Sequence, residues 1–191
     1  HDHIITKAAG LHVSKSIPLH QDRMFWPVDV PGCSAWIPLE DVPINGGCLE
    51  LITTANDPHL CKQNVHAVDF MADENSSGLR LLKEDGPEPV RWLIPMNAGD
   101  TLLFSSHSWH RSSPNHQVTT NRMAYIQTWV HPAARWRPDV VPWHPVNEHL
   151  AREGYRENDP LGGSRHPIVS VAGLDANASC SSASVYLRTN C

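Results

Sequence analysis

What most constrains the fold of this chain is the shortness of its apolar segments. From the start to about residue 132, runs of about four to eight residues, rich in β-branched and aromatic side chains, are broken by Pro, Gly, Asn and Asp. Such runs are too short for packed helices and partly alternate, so they read as strands. The pattern places them near His3–Ala8, Ser16–Asp22, Cys33–Glu40, Cys48–Thr53, Val65–Phe70, Val90–Pro95, Asp100–Ser105 and Arg122–Val130. Turn signals at Val30-Pro31-Gly32, Asn45-Gly46-Gly47 and Asn97-Ala98-Gly99-Asp100 join them. Many short strands with little helix predict an all-β sandwich, barrel or jelly roll.

Two short helices are expected, one around Ser77–Lys83 and one over Val146–Glu153, where Asn147 lies near the start and Gly154 is the stop. Between them, His131 to Pro145 holds Trp136, Trp143 and four prolines, which suits an ordered strap across the sheet. Asn177–Ser184 is small and polar, so 177–191 is expected to be a flexible tail behind a single core domain at 1–176. With 191 residues the chain is long enough for one domain with a sizeable core. It opens at His1 with no targeting pattern, so it reads as a trimmed piece, expected in the cytoplasm.

Charge and cysteines narrow the function. A formal net charge of −5, without basic runs, argues against nucleic acid as partner. No apolar stretch approaches the roughly 18 residues of a membrane span, so no membrane role is expected. Five scattered cysteines suit neither a disulfide scaffold nor a zinc ribbon. The outlier is histidine, 13 residues against 15 Lys plus Arg.

Sorted by neighbours, a few of these histidines form a set. His20-Gln21-Asp22 lies on an expected strand, where a period of two turns an imidazole and a carboxylate to one face. Phe104 to His110 ends the next-to-last strand and offers two candidate ligands, His107 and His110. Arg122 opens the last strand, twelve positions beyond His110. Two histidines and one carboxylate cap one face of an octahedral metal and leave three adjacent positions open, as in non-haem Fe(II) oxygenases. A nearby arginine can hold a dicarboxylate through a bidentate pair.

The ordered set, with Cys33 to Asp41, Asn45-Gly46-Gly47-Cys48-Leu49-Glu50-Leu51, Asn97 to Phe104, His110 to Asn115 and Arg122-Met123-Ala124-Tyr125, resembles the phytanoyl-CoA dioxygenase-like family. The resemblance covers roughly residues 16 to 130. It implies a double-stranded β-helix, a cupin-like jelly roll, using Fe(II), 2-oxoglutarate and O2. Carried over position by position, it makes His20, Asp22 and His110 the iron ligands and the catalytic centre. Arg122 and Ser112 would hold 2-oxoglutarate, with Trp36 lining its pocket and Glu40 a nearby acidic position. Phe25 and Trp26, just past the triad strand, are either core or substrate wall. His3 and His12 could line the mouth, whereas His144 and the remaining histidines read as surface or loop.

The implied activity is hydroxylation of an unactivated C–H bond in a small, largely apolar molecule, a natural-product intermediate or an acyl thioester. A carboxylate at Asp22 fills the position that halogenating relatives leave for chloride. Desaturation, cyclisation and epimerisation use the same centre. Two departures stand out. Thr53-Thr54-Ala55-Asn56 replaces the family's usual Pro-Gly-Ser/Thr-His, and the family's region ahead of the HxD strand is largely missing. A non-catalytic jelly-roll binding module and a cupin enzyme without a co-substrate are the rival readings. A zinc hydrolase is disfavoured because no HExxH spacing occurs.

Overall fold

The computed structural model describes residues 2–10, 14–30, 32–53, 90–164 and 166–169. Two antiparallel sheets face each other. The strands are β1 (Asp2–Lys7), β2 (Ile17–His20), β3 (Cys33–Pro38), β4 (Leu49–Thr53), β5 (Val90–Ile94), β6 (Leu102–Ser105), β7 (Trp109–Ser112) and β8 (Arg122–Trp129). One sheet runs β1-β8-β3-β6 and the other β2-β7-β4-β5. This is a jelly roll, one of the all-β architectures that the short segments imply, and the double-stranded β-helix that the family resemblance implies.

Alternation decides which side chains enter the sandwich. On β3, Ser34 and Trp36 share a face; on β7, His110 and Ser112 do so. Between the sheets Trp36, Val42, Cys48, Leu49, Met96, Leu102, Phe104 and Ala124 form the main core. A second cluster of Leu19, Met24, Ile52 and Trp109 uses the opposite faces of β2, β4 and β7. Polar inward residues therefore concentrate where the core gives way to the site.

Two of the expected boundaries shift near the site. The strand expected over Ser16–Asp22 stops at His20, and Asp22–Phe25 forms a 3-10 turn. His110 does not end the Phe104 strand. Ser105 to Ser108 closes a turn, with the Ser108 N–H donating to the Ser105 carbonyl at 2.8 Å, and the chain returns as β7. The expected strand at Val65–Phe70, the helix at Ser77–Lys83 and the tail at 177–191 lie outside the described residues. Helix α1 spans Val146–Arg152, and Gly154 follows it at φ +87°, the left-handed geometry of a helix stop.

The proline-rich strap is ordered against the rest. Val28 bridges Trp136, and the Trp136 indole N–H donates to the Asn147 side chain at 2.8 Å. The turn at Ile44–Gly46 ends on Gly47 at φ +74°, where a Cβ would stand 3.0 Å from both the Lys7 side chain and the Ser113 carbonyl. Only glycine lets Lys7 pass there.

Lys7 is itself a surprise. It ends β1 opposite Arg122 and is buried, its ammonium donating to the carbonyls of Lys15 (2.7 Å), Ser112 (3.2 Å) and Ser113 (2.7 Å). It thereby pins the end of β7 to β1. Burial, then the charge of Arg122, pulls its pKa down to about 7. An unfolded lysine titrates near 10.4. Between about pH 7 and pH 10 the unfolded chain thus holds the extra proton, and stability should rise with pH. Lys7→Met should flatten that rise and cost about 1–2 kcal/mol at pH 8, where the largely neutral amine donates at most two hydrogens to the carbonyls around it. Urea unfolding across this pH range checks both; an equally steep rise in the variant would refute the assignment.

Candidate metal centre and acid-binding pocket

Strand pairing builds the centre. β2 and β7 align His20 directly opposite His110, so the two imidazoles pack with ring centroids 4.2 Å apart. Each ring is fixed by a backbone carbonyl two residues earlier: His20 Nδ1 to Pro18 at 2.7 Å, His110 Nδ1 to Ser108 at 3.0 Å. With Nδ1 as donor, Nε2 is the lone-pair nitrogen in both rings. Both Nε2 atoms turn to the same carboxylate oxygen, Asp22 Oδ1, at 3.5 and 3.4 Å. The other oxygen, Oδ2, accepts the hydroxyl of Ser34.

Asp22 reaches this point because the chain leaves β2 and coils. The Arg23 N–H donates to the Ser106 carbonyl at 3.1 Å, and the buried Gln21 amide donates to the His107 carbonyl at 2.5 Å. His20 and Asp22 therefore come together through this turn and not through strand alternation, since β2 ends at His20. His107 contributes a backbone carbonyl, while the ring in the cluster is that of His110.

The donor atoms of His20, Asp22 and His110 all lie within 4.8 Å of one another. Two lone-pair nitrogens aimed at a carboxylate oxygen repel it unless a cation lies between them. Protonation follows the same logic. Burial opposes charge on His110, but Asp22 outweighs it and raises the pKa; burial and His110 lower that of His20. Burial would lift Asp22, yet His110 and His20 hold its carboxyl far below the ordinary range. A proton on His110 is the substitute for a metal ion, and the set fits Fe(II).

Next to this cluster lies a cavity of about 470 Å³. Arg122 and Ser112 line its inner end. Arg122 is buried over the Trp36 ring, its guanidinium 5.6 Å from the ring centroid. Burial lowers its pKa to about 10, which leaves it charged at neutral pH. Its Nε and one terminal nitrogen, and the Ser112 hydroxyl, are buried without a partner among the described residues. Buried donors left unmatched cost about 1–3 kcal/mol each and call for a ligand. An acid with several oxygens, such as the distal carboxylate of 2-oxoglutarate, matches them.

Phe25 and Trp26 line the same cavity, but Glu40 does not. Its carboxylate accepts the Met123 backbone N–H at 2.8 Å and acts on Arg122 only through its charge. The cavity also takes in His3, as expected of a mouth residue, and His144, which the sequence reading placed on the surface. Trp143, Ser34, Gln21 and Lys7 were not singled out. Ser34 was within reach, because it stands two positions from Trp36 on one strand.

A jelly roll with two histidines and one aspartate at the mouth, and a buried arginine behind them, defines the class of facial-triad metalloproteins. Residues 1–123 match the family described as phytanoyl-CoA dioxygenase (PhyH), and the chain belongs to that family. No curated protein sequence matches it. Among solved structures, it is similar to the non-haem α-ketoglutarate-dependent carbocyclase SnoK of nogalamycin biosynthesis. That likeness is at 24% identity and TM-score 0.68, over 88% of this chain and 60% of that one. It is also similar to the epimerase SnoN, solved in complex with Fe3+, α-ketoglutarate and nogalamycin RO, at 23% identity and TM-score 0.63. This match covers 86% and 61% of the two chains. These likenesses show the shared fold, and the chain spans about 60% of the length of those proteins.

If a metal displaces the His110 proton, binding should release about one proton per ion. Its apparent affinity should then rise about tenfold per pH unit below the His110 pKa and level off above it. Titration of Co(II) by its visible absorption checks this, and a pH-independent affinity would contradict it.

Proposed function

We propose that the chain is the core of an Fe(II)- and 2-oxoglutarate-dependent oxygenase that hydroxylates an unactivated C–H bond of a small, largely apolar molecule. One observation carries the reading: unmatched buried donors on Arg122 and Ser112 share a cavity with a His-Asp-His cluster. A plain metal-binding module has no use for such an acid pocket.

His20, Asp22 and His110 would hold one face of the iron and leave the positions towards the cavity for co-substrate. When bound, iron with 2-oxoglutarate and O2 supplies the oxidation, with succinate and CO2 as co-products. Arg122 grips the distal carboxylate of 2-oxoglutarate through two N–H donors, and Ser112 adds its hydroxyl. Trp36 beneath the guanidinium fixes its plane and keeps water from competing. Ser34 holds Asp22 in the orientation that presents Oδ1. Phe25 stands edge-on to His20, ring centroids 5.5 Å apart, and bars water from that side. Asp22 occupies the position a halide would need, which favours oxygen transfer.

Asp22→Ala should abolish Fe(II)-dependent succinate formation, whereas Arg122→Gln should raise the apparent KM for 2-oxoglutarate at least about tenfold, through loss of a charge-assisted pair. Product mass then fixes the reaction, since hydroxylation adds one oxygen, desaturation or cyclisation removes two hydrogens and epimerisation changes neither. Succinate formation unchanged in Asp22→Ala would exclude the proposed centre.

A further inference from the structure

The outer part of the cavity is paved with rings. Trp26, Trp143 and His144 all line it. The His144 ring lies 31° from the plane of Trp26 and 36° from that of Trp143, with centroids 6.5 and 6.0 Å away. Phe25 meets Trp143 edge-on at 6.0 Å and His20 at 5.5 Å, so this row is joined to the metal centre by a single ring. Trp143 is 56% exposed, an uncommon position for so large an apolar surface unless it meets a ligand.

Within this row His144 has a defined polarity. The Val146 backbone N–H donates to His144 Nδ1 at 3.1 Å, so the ring proton resides on Nε2. Nε2–H has no protein acceptor among the described residues. Burial lowers the His144 pKa and keeps the ring neutral at pH 7, a donor without net charge.

We infer that His144 is a substrate-orienting residue: the row Trp26–His144–Trp143 receives a flat, ring-bearing substrate, and the Nε2–H of His144 hydrogen-bonds to a carbonyl or phenol oxygen on it. This rests on the oxygenase reading and adds the substrate class. Three neighbouring rings on one cavity wall offer aromatic contact, which suits a ring-bearing ligand better than a flexible acyl chain. A neutral donor selects an acceptor oxygen. The cavity, at about 470 Å³, lies within the roughly 300–1,000 Å³ of small-molecule sites. The hydrogen bond fixes the in-plane rotation that stacking leaves free, and so chooses which carbon faces the iron.

His144 also has a structural contact, because Val146 opens α1. A purely structural role predicts that its loss disturbs every ligand alike. Calorimetric titration of the metal-free protein with matched probes separates the two roles and needs no turnover, so it stays readable if the oxygenase reading fails. Anthraquinone-2-sulfonate and anthracene-2-sulfonate share rings and charge and differ in the carbonyls; octane-1-sulfonate has neither rings nor carbonyls.

The expected result is that anthraquinone-2-sulfonate binds about tenfold tighter than anthracene-2-sulfonate, a difference of about 1.4 kcal/mol. His144→Phe keeps a ring and should erase that preference, leaving anthracene-2-sulfonate within about twofold. His144→Gln, which keeps a donor, should restore part of it, and Trp143→Ala should weaken both ring probes. If His144→Phe does not fold, His144→Leu carries the same comparison. Equal loss of both ring probes in the His144 variants, no loss in either, or octane-1-sulfonate binding as tightly as anthraquinone-2-sulfonate would overturn the assignment.

Discussion

Everything at the mouth of this jelly roll depends on the pairing of β2 with β7. That register sets His20 against His110, and the carbonyls of Pro18 and Ser108, each two residues upstream, fix both rings the same way round. One strand pair thus supplies two of the three residues that could hold a metal and the hydrogen bonds that orient them. A slip of one residue would turn His110 and Ser112 to the outer face and bring Trp109 and Arg111 inward. The apolar contacts of Leu19, Ile52 and Trp109 on that outer face oppose such a slip. So does Arg111, which pairs there with the buried Glu50 through Nε at 2.5 Å. Metal-site geometry and packing of the outer face are therefore one constraint.

The opposite end of the cavity shows a different economy. Lys7 and Arg122 are neighbouring buried basic groups, but their surroundings differ. Lys7 is saturated by three carbonyls and serves the fold. Arg122 keeps two buried nitrogens unmatched, stacked over Trp36 with only the indirect charge of Glu40. A fold selected for stability alone would have given Arg122 a carboxylate partner. Its absence among the described residues is what an anionic ligand requires, since a built-in carboxylate would compete for the same donors.

How far the sequence revealed this depends on the range of the interactions concerned. Alternation and turn residues are local, and they located seven of the eight described strands. The cluster of His20, Asp22 and His110 could be assembled from sequence because the three form an ordered set with Arg122, although the aspartate reaches it through a 3-10 turn rather than strand alternation. β7 was missed because the Ser105–Ser108 turn contains no Gly or Pro to announce it. Lys7 looked like an ordinary strand end, since the carbonyls of Ser112 and Ser113 lie more than a hundred positions away. Glu40 sits close to the site in sequence, yet its carboxylate is committed to a backbone N–H on the far side of Arg122's strand. His144 lies in a proline-rich strap with no periodicity to orient it, and only tertiary packing turns it to the cavity.

The strap adds a different kind of wall to the jelly-roll mouth. β-sheets alone offer alternating side chains on a curved surface, suited to holding a metal and a small acid. They do not offer a broad flat face. Trp143, His144 and Pro145 come from the strap, just before α1, and its backbone is held by the Val28–Trp136 bridge and the Trp136–Asn147 hydrogen bond. These contacts are made by residues outside the His20–Asp22–His110 cluster. Phe25 links wall and cluster, touching His20 on one side and Trp143 on the other, and the segment that follows it meets the strap again at Trp26–His144 and Val28–Trp136.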